Sequence, residues 1–126
     1  MIVVDTSVWI DHLRSGDRVL SELLGSGRVL QHEWVTGELG LGHLVNRAEI
    51  LRLLGSLPAA PVATAHELME FVERYQLMGR GVGWVDVQIL ASARLAAASL
   101  WTRDQRLAGA AERVGVRFDE SVENCV

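Results

Sequence analysis

Four acidic residues stand where a folded chain has little structural need of a carboxylate. Asp5 ends a short apolar run, Ile2-Val3-Val4, and Asp104 follows another, Ser99-Leu100-Trp101-Thr102. Asp86 heads a segment with Ile89, Leu90, Ala93 and Ala97 at helical spacing behind it, so on a helix its carboxylate begins an apolar stripe. Glu38 repeats the pattern, with Trp34 and Val35 one turn before it and Leu41 and Gly42 one turn after. A buried carboxylate is costly unless it is paired, protonated or bound to a cation. Each acid also has a structural reading: Asp5 and Asp104 could cap the helices that follow, Asp86 could favour a helix N-terminus, and Glu38 could pair with an arginine. Taken together, two at strand ends and two on apolar stripes point to one oxygen-rich pocket.

Such a pocket suits a hard divalent cation, Mg²⁺ or Mn²⁺, because these ions prefer oxygen donors whereas zinc favours His and Cys. His12, His32, His43 and His66 show no His-x-x-x-His spacing and no cysteine companion, which disfavours zinc. The matching chemistry is phosphodiester hydrolysis, in which a metal acidifies water and stabilises the departing oxygen. Asp5 and Asp86 are then the expected direct ligands. Glu38 and Asp104 would hold the ion through oxygen or through water. Thr6, Ser7 and Thr102 are candidates for orienting water or the scissile phosphate, against their ordinary task of satisfying turn backbone.

The elements that must position these acids alternate along the chain. Ile2–Val4 reads as a buried strand and Ser7–Arg14 as a helix. Asp17 can cap a helix to about Leu24, with Gly25 and Gly27 ending it, and Val29-Leu30 is a short strand. A Gly-rich helix runs from Glu33 to about His43. Asn46…Glu49 and Thr64…Glu67 have capping-box spacing and open helices to about Gly55 and Leu77. Between them Pro58 to Val62 allows an edge strand or a loop. Trp84–Ala97 is a long apolar helix, Ser99–Thr102 a strand, Asp104 a helix cap, and Val116–Phe118 a last strand. This alternation predicts an α/β domain with a mainly parallel sheet, occupying residues 1–126 as one unit. Ligands of such sheets gather beyond the carboxyl ends of the strands, where Asp5 and Asp104 fall.

Composition narrows the setting. The 126 residues, 49% hydrophobic, can build a core without cross-links. Cys125 has no partner cysteine, which excludes a disulfide framework within the chain and fits a reducing compartment. No stretch approaches the ~20 apolar residues of a membrane helix, and the N-terminus does not resemble a signal peptide, so a soluble, cytoplasmic protein is expected. A net charge of −4 argues against holding nucleic acid by overall charge; bound cations and local arginines would have to offset the repulsion. The chain has no lysine, which disfavours a haloacid-dehalogenase phosphatase or a receiver domain.

The segment Val3-Val4-Asp5-Thr6-Ser7-Val8-Trp9-Ile10-Asp11 resembles the opening motif of PIN domains, especially VapC toxins. Glu38-Leu39-Gly40-Leu41-Gly42 is similar to their second acidic motif, Gly81 to Ala93 around Asp86 to the third, and Leu100 to Leu107 around Asp104 to the fourth. The motifs occur in family order and span nearly the whole chain. The resemblance implies a three-layer α/β/α sandwich around a mainly parallel central sheet. It implies a Mg²⁺- or Mn²⁺-dependent endoribonuclease that cuts RNA and blocks translation, with catalytic and metal-binding acids at Asp5, Glu38, Asp86 and Asp104. Thr6, Ser7, Thr102 and Arg103 would position substrate or water, and Arg14, Arg80 and Arg106 could also meet RNA phosphates. It further implies a homodimer neutralised by a VapB antitoxin, which would itself make any operator DNA contacts. Apolar residues in excess of a narrow stripe at Val19–Leu24 and Ile50–Leu57 could line a groove for a partner helix or fill the core. The rival reading is a catalytically silent PIN-like module that binds RNA or protein; loss of an acid would signal it, and none is lost.

Overall fold

The sheet is built on the first strand. In the computed structural model, which describes residues 1–121, β1 (Ile2–Val4) lies between β2 (Val29–Leu30) and β3 (Ser99–Trp101), and both pairings are parallel. Ile2 pairs with Val29 on one side and Ser99 on the other, and Val4 pairs with Trp101. Successive side chains of a strand face opposite ways, yet Ile2, Val3 and Val4 are all buried, so both faces of the sheet are covered. Parallel strands require crossovers, and helices supply them: α1 (Thr6–Ser15) and α2 (Arg18–Gly25) before β2, then α3 (Glu33–Leu41), α4 (Arg47–Gly55), α5 (Ala65–Tyr75) and α6 (Trp84–Leu95) before β3. Helix α7 (Gln105–Val114) follows β3, completing an α/β/α arrangement. Cys125 lies outside the described residues.

Helix α6 is the central support. Residues 87–93 are buried all round, and the helix touches β1, β3, α5 and α7. A helix buried on every side belongs in a core, and its two polar residues there, Gln88 and Ser92, are hydrogen-bonded. Its end is tightened by Ala97 at φ 51°, after which the Ala98 N–H donates to the Ala93 carbonyl at 2.9 Å. The helix therefore ends at Leu95, short of the expected Ala97.

Three of the expected caps form, Asp104 ahead of α7 among them. The Asp17 carboxylate accepts from the Leu20 N–H at 2.9 Å, and Thr64 and Glu67 make both bonds of a capping box. The Asn46…Glu49 box does not form. Asn46 sits in the left-handed region at φ 57° and makes no side-chain cap, and Arg52 engages the Glu49 carboxylate at 2.7 Å instead. The 116–118 strand is reduced to one bridge, Leu100 to Arg117, and the 58–62 segment to a bridge between Gln31 and Ala59. Prolines at 58 and 61 leave that edge without two of its donors.

The apolar surplus divides between the two anticipated fates. Val19, Leu20 and Leu23 fill the core, as does Leu54, while Leu53 is exposed. Among the large apolar side chains of the described residues, exposure is greatest at Leu41 (90%) and Val45 (85%), at the end of α3 and in the loop after it.

Candidate active site

The carboxyl ends of β1 and β3 are tied together by the Asp5 N–H, which donates to the Trp101 carbonyl at 2.9 Å. Asp5 stands at the start of α1 yet makes no side-chain cap there. Its Oδ2 instead accepts from the Ser7 hydroxyl and from the Thr102 hydroxyl, each at 2.8 Å. Those hydroxyls are held in turn: Ser7 Oγ accepts the Arg103 N–H at 3.1 Å, and Thr102 Oγ1 accepts the Asp104 N–H at 3.1 Å. Ser7 and Thr102 thus orient a carboxylate and shape the β3–α7 turn.

Asp86 lies in the first turn of α6, half-buried, with Oδ2 accepting the Gly83 N–H at 2.9 Å. Burial pushes its pKa above the usual carboxylate value; the Gly83 N–H opposes the rise, and the charges of Asp5 and Asp104 add to it. That mutual repulsion brings three of the four sequence-predicted acids into one electrostatic neighbourhood. Asp104 is a genuine helix cap, with Oδ1 accepting the Leu107 N–H at 3.0 Å. Glu38 joins through Thr6, whose hydroxyl donates to Oε1 at 3.1 Å.

Glu38 departs from the sequence expectation in one respect. Its side chain is exposed, because the buried face of α3 runs through Val35 and Leu39 and not through the Trp34–Leu41 stripe. Arg103 departs further. Its guanidinium donates to Asp11 at 2.8 Å, Asp17 at 2.5 Å and Glu120 at 3.1 Å, and lies 5.4 Å from the Trp101 ring centroid. Burial works against the charge, but the three carboxylates more than restore it and hold the guanidinium firmly protonated. Only the Arg103 backbone reaches the acid network; its side chain is taken up by the clamp.

A common pattern runs through the four acids. Each has one oxygen committed to the protein: Asp5 Oδ2, Glu38 Oε1, Asp86 Oδ2 and Asp104 Oδ1. The second oxygen of each accepts no hydrogen bond among the described residues, and no buried side-chain polar atom lacks a partner, so these oxygens reach solvent. None of the four forms an ion pair among the described residues. As donors they fit a hard divalent cation, being oxygen only, uncommitted on one side and mutually repulsive. They do not stand as a finished chelate: among the described residues, no three His, Cys, Asp or Glu side chains are close enough to share an ion.

Residues that sequence reasoning missed hold the frame. Gly83, three residues before Asp86, was legible as the backbone half of a capping box. A second device was not legible, since its members are 60 and 25 residues apart: His32 Nε2 meets Ser92 Oγ at 2.9 Å, Ser92 donates to Gln88 at 3.1 Å, and Gln88 holds Ala63 by both its N–H and its carbonyl. His32 Nδ1 accepts the Trp34 N–H at 3.0 Å, and burial holds the ring below the usual histidine pKa. This fully buried network pins the start of α3, which carries Glu38, against α6, which carries Asp86.

The PIN-domain family matches residues 2–113, a stretch containing all four acids. Two curated relatives, both named Ribonuclease VapC32 and from two strains of Mycobacterium tuberculosis, are 47% identical over 123 residues, covering 97% of this chain and 99% of theirs. With identity of that extent running end to end, and a parallel sheet with Asp5 at the carboxyl end of its central strand, the chain belongs to the PIN-domain family and, within it, to the VapC group.

Proposed function

We propose that this protein is the toxin of a VapBC pair, a single-domain endoribonuclease that hydrolyses RNA phosphodiester bonds with Mg²⁺, or Mn²⁺ in its place, and so blocks translation. The observation that carries the reading is the half-committed state of Asp5, Glu38, Asp86 and Asp104, each anchored by one oxygen and offering the other without a neutralising arginine. The name shared by the two relatives supports RNA as the substrate class.

Asp5 and Asp86, with Asp104 and Glu38, would hold the cation, which acidifies a water and offsets charge on the departing oxygen. The remaining work falls to this chain's own groups. Ser7 and Thr102 fix the Asp5 carboxylate, the Gly83 N–H fixes Asp86, the Leu107 N–H fixes Asp104, and Thr6 steers Glu38. Such supporting bonds set the direction in which each free oxygen is presented.

A VapB antitoxin is the expected partner in the same compartment, the cytoplasm. A groove of 480 Å³ opens beside Thr6 and Glu38, with Ile10, Leu13, Leu44 and Val45 along it, and an amphipathic helix would suit that lining. Operator DNA would be met through the antitoxin, and the toxin itself would act as a homodimer.

The test compares the purified chain, free of antitoxin, with Asp86→Ala on structured RNAs, single-stranded RNAs and matched DNAs, under Mg²⁺, Mn²⁺ and EDTA. Cleavage of RNA that needs the metal and is lost in the variant is the expected result. A folded wild type that leaves every RNA intact under both metals, or a variant that cuts equally well, would overturn the proposal.

A further inference from the structure

Resting on the ribonuclease reading, the structure assigns phosphate recognition to Arg106 and not to its neighbour Arg103. An acidic chain that cuts a polyanion needs a cation near the cut that is not already neutralised. The arginines adjoining the acid motifs differ sharply in this respect. Arg103 is neutralised three times over, by Asp11, Asp17 and Glu120. Arg80 is held by the Gln76 carbonyl at 2.7 Å. Arg14 has no carboxylate partner among the described residues either, but it lies near the end of α1 on the groove beside Ile10 and Leu13, away from the Asp86 and Asp104 anchors. Arg106 is exposed, and no carboxylate or carbonyl among the described residues accepts from it.

Arg106 is nevertheless seated. Its chain lies along Gly81 so closely that a Cβ there would come 2.8 Å from Cδ and 3.2 Å from Nε. Gly81 also takes φ +77°, a conformation that glycine tolerates best. The seat bridges the two elements that carry site acids: α7, whose cap is Asp104, and the loop whose Gly83 N–H anchors Asp86. A planar guanidinium aligned by packing, with its donors unspent, is suited to bidentate contact with a phosphate oxygen pair. The contact would fall on a phosphate flanking the scissile one, since Asp5, Asp86 and Asp104 would hold the cation at the cut itself.

The experiment measures steady-state cleavage in Mg²⁺, and RNA binding in EDTA across a salt series, for wild type, Arg106→Ala, Arg106→Lys, Gly81→Ala and the Arg106→Ala/Gly81→Ala double variant, all checked for an intact melting transition. Arg106→Ala should raise KM about tenfold with kcat little changed, and flatten the logarithmic salt dependence of binding by about 0.7, the share of one single-strand phosphate contact. Arg106→Lys should restore the salt slope but not the full affinity, having the charge without the fork. Gly81→Ala should displace the side chain, and the double variant should then lose little beyond Arg106→Ala. A wild type that cuts RNA while Arg106→Ala keeps its KM and salt slope overturns this inference and leaves the ribonuclease reading standing. A wild type that neither binds nor cuts any RNA overturns both.

Discussion

Two groups of acids flank the short turn between β3 and α7, and they are treated in opposite ways. Asp11, Asp17 and Glu120 converge on Arg103, whose guanidinium is bonded to all three and stacked over Trp101. Asp5, Asp86 and Asp104 have hydroxyls and backbone N–H groups for partners and, among the described residues, no cation. Neutral donors orient a carboxylate without cancelling its charge; a guanidinium cancels it. The first group is finished and ties the segment around Glu120 to α1 and α2. The second stays electrostatically open: burial raises the Asp86 pKa, and the uncancelled charges of Asp5 and Asp104 add to the rise. A carboxylate's meaning in this fold is set by what balances it, not by its place in the sequence.

The comparison breaks first at the open group. Asp5→Asn keeps the shape and removes the charge; RNA cleavage should fall on the order of 10³-fold, while the melting temperature measured without metal should hold or rise because repulsion is relieved. A large loss of stability would mean that Asp5 is a structural acid after all. Thr102→Val probes the scaffolding by removing a donor to Asp5 and an acceptor for the Asp104 N–H together. Cleavage should drop by roughly 10–100-fold with the metal requirement intact, and an unchanged rate would show that the hydroxyl orients nothing. At the closed group the sign reverses. Arg103→Ala should lower stability by about 1–3 kcal/mol in denaturant melts, between an exposed and a buried ion pair, with a far smaller loss of cleavage per folded molecule than Asp5→Asn.

The finest contrast is in pH. Asp86 has a raised pKa when folded, so its proton binds more tightly in the native state, and the penalty of its ionised form disappears as pH falls through that raised value. Metal-free wild type should therefore gain stability relative to Asp86→Asn on acidification from pH 7 toward the unfolded-state value of 3.8. Asp17 runs the other way. Burial pushes it up, but the Leu20 N–H and Arg103 outweigh that and lower its pKa. Its contribution is present above the unfolded value of 3.8 and is lost only below it. Parallel melts of wild type, Asp86→Asn and Asp17→Asn should separate the two signs, and coincident pH profiles would contradict the contrast.

Much of this was legible in the sequence, for identifiable reasons. Ile2–Val4, Val29–Leu30 and Ser99–Trp101 announced themselves because short apolar runs between turn residues have few other uses in a buried parallel sheet. Asp17 and Thr64 worked as caps because capping is local chemistry within three residues. Asn46 failed because its left-handed backbone is set by the turn that follows α3, which spacing does not encode. Glu38 was placed on the wrong flank because α3 is nine residues long and rich in glycine, too short and too bare to show which face is buried. The clamp on Arg103 was not legible, because its carboxylate partners are 92, 86 and 17 residues away.

The strand order has a consequence in time. β1 is made before both of its neighbours and is the innermost strand of the sheet, yet one of those neighbours arrives only at residues 99–101. The Asp5–Thr102 hydrogen bond spans 97 residues, and at translation rates of roughly 5–20 residues per second the nascent chain waits about 5–20 s between its two partners. Ribosomes stalled with a chain ending before residue 99 are expected to carry no cleaving activity, and release of the whole chain should switch it on. On the ribonuclease reading, a ribosome making this chain is thus shielded from it by topology until β3 has been made.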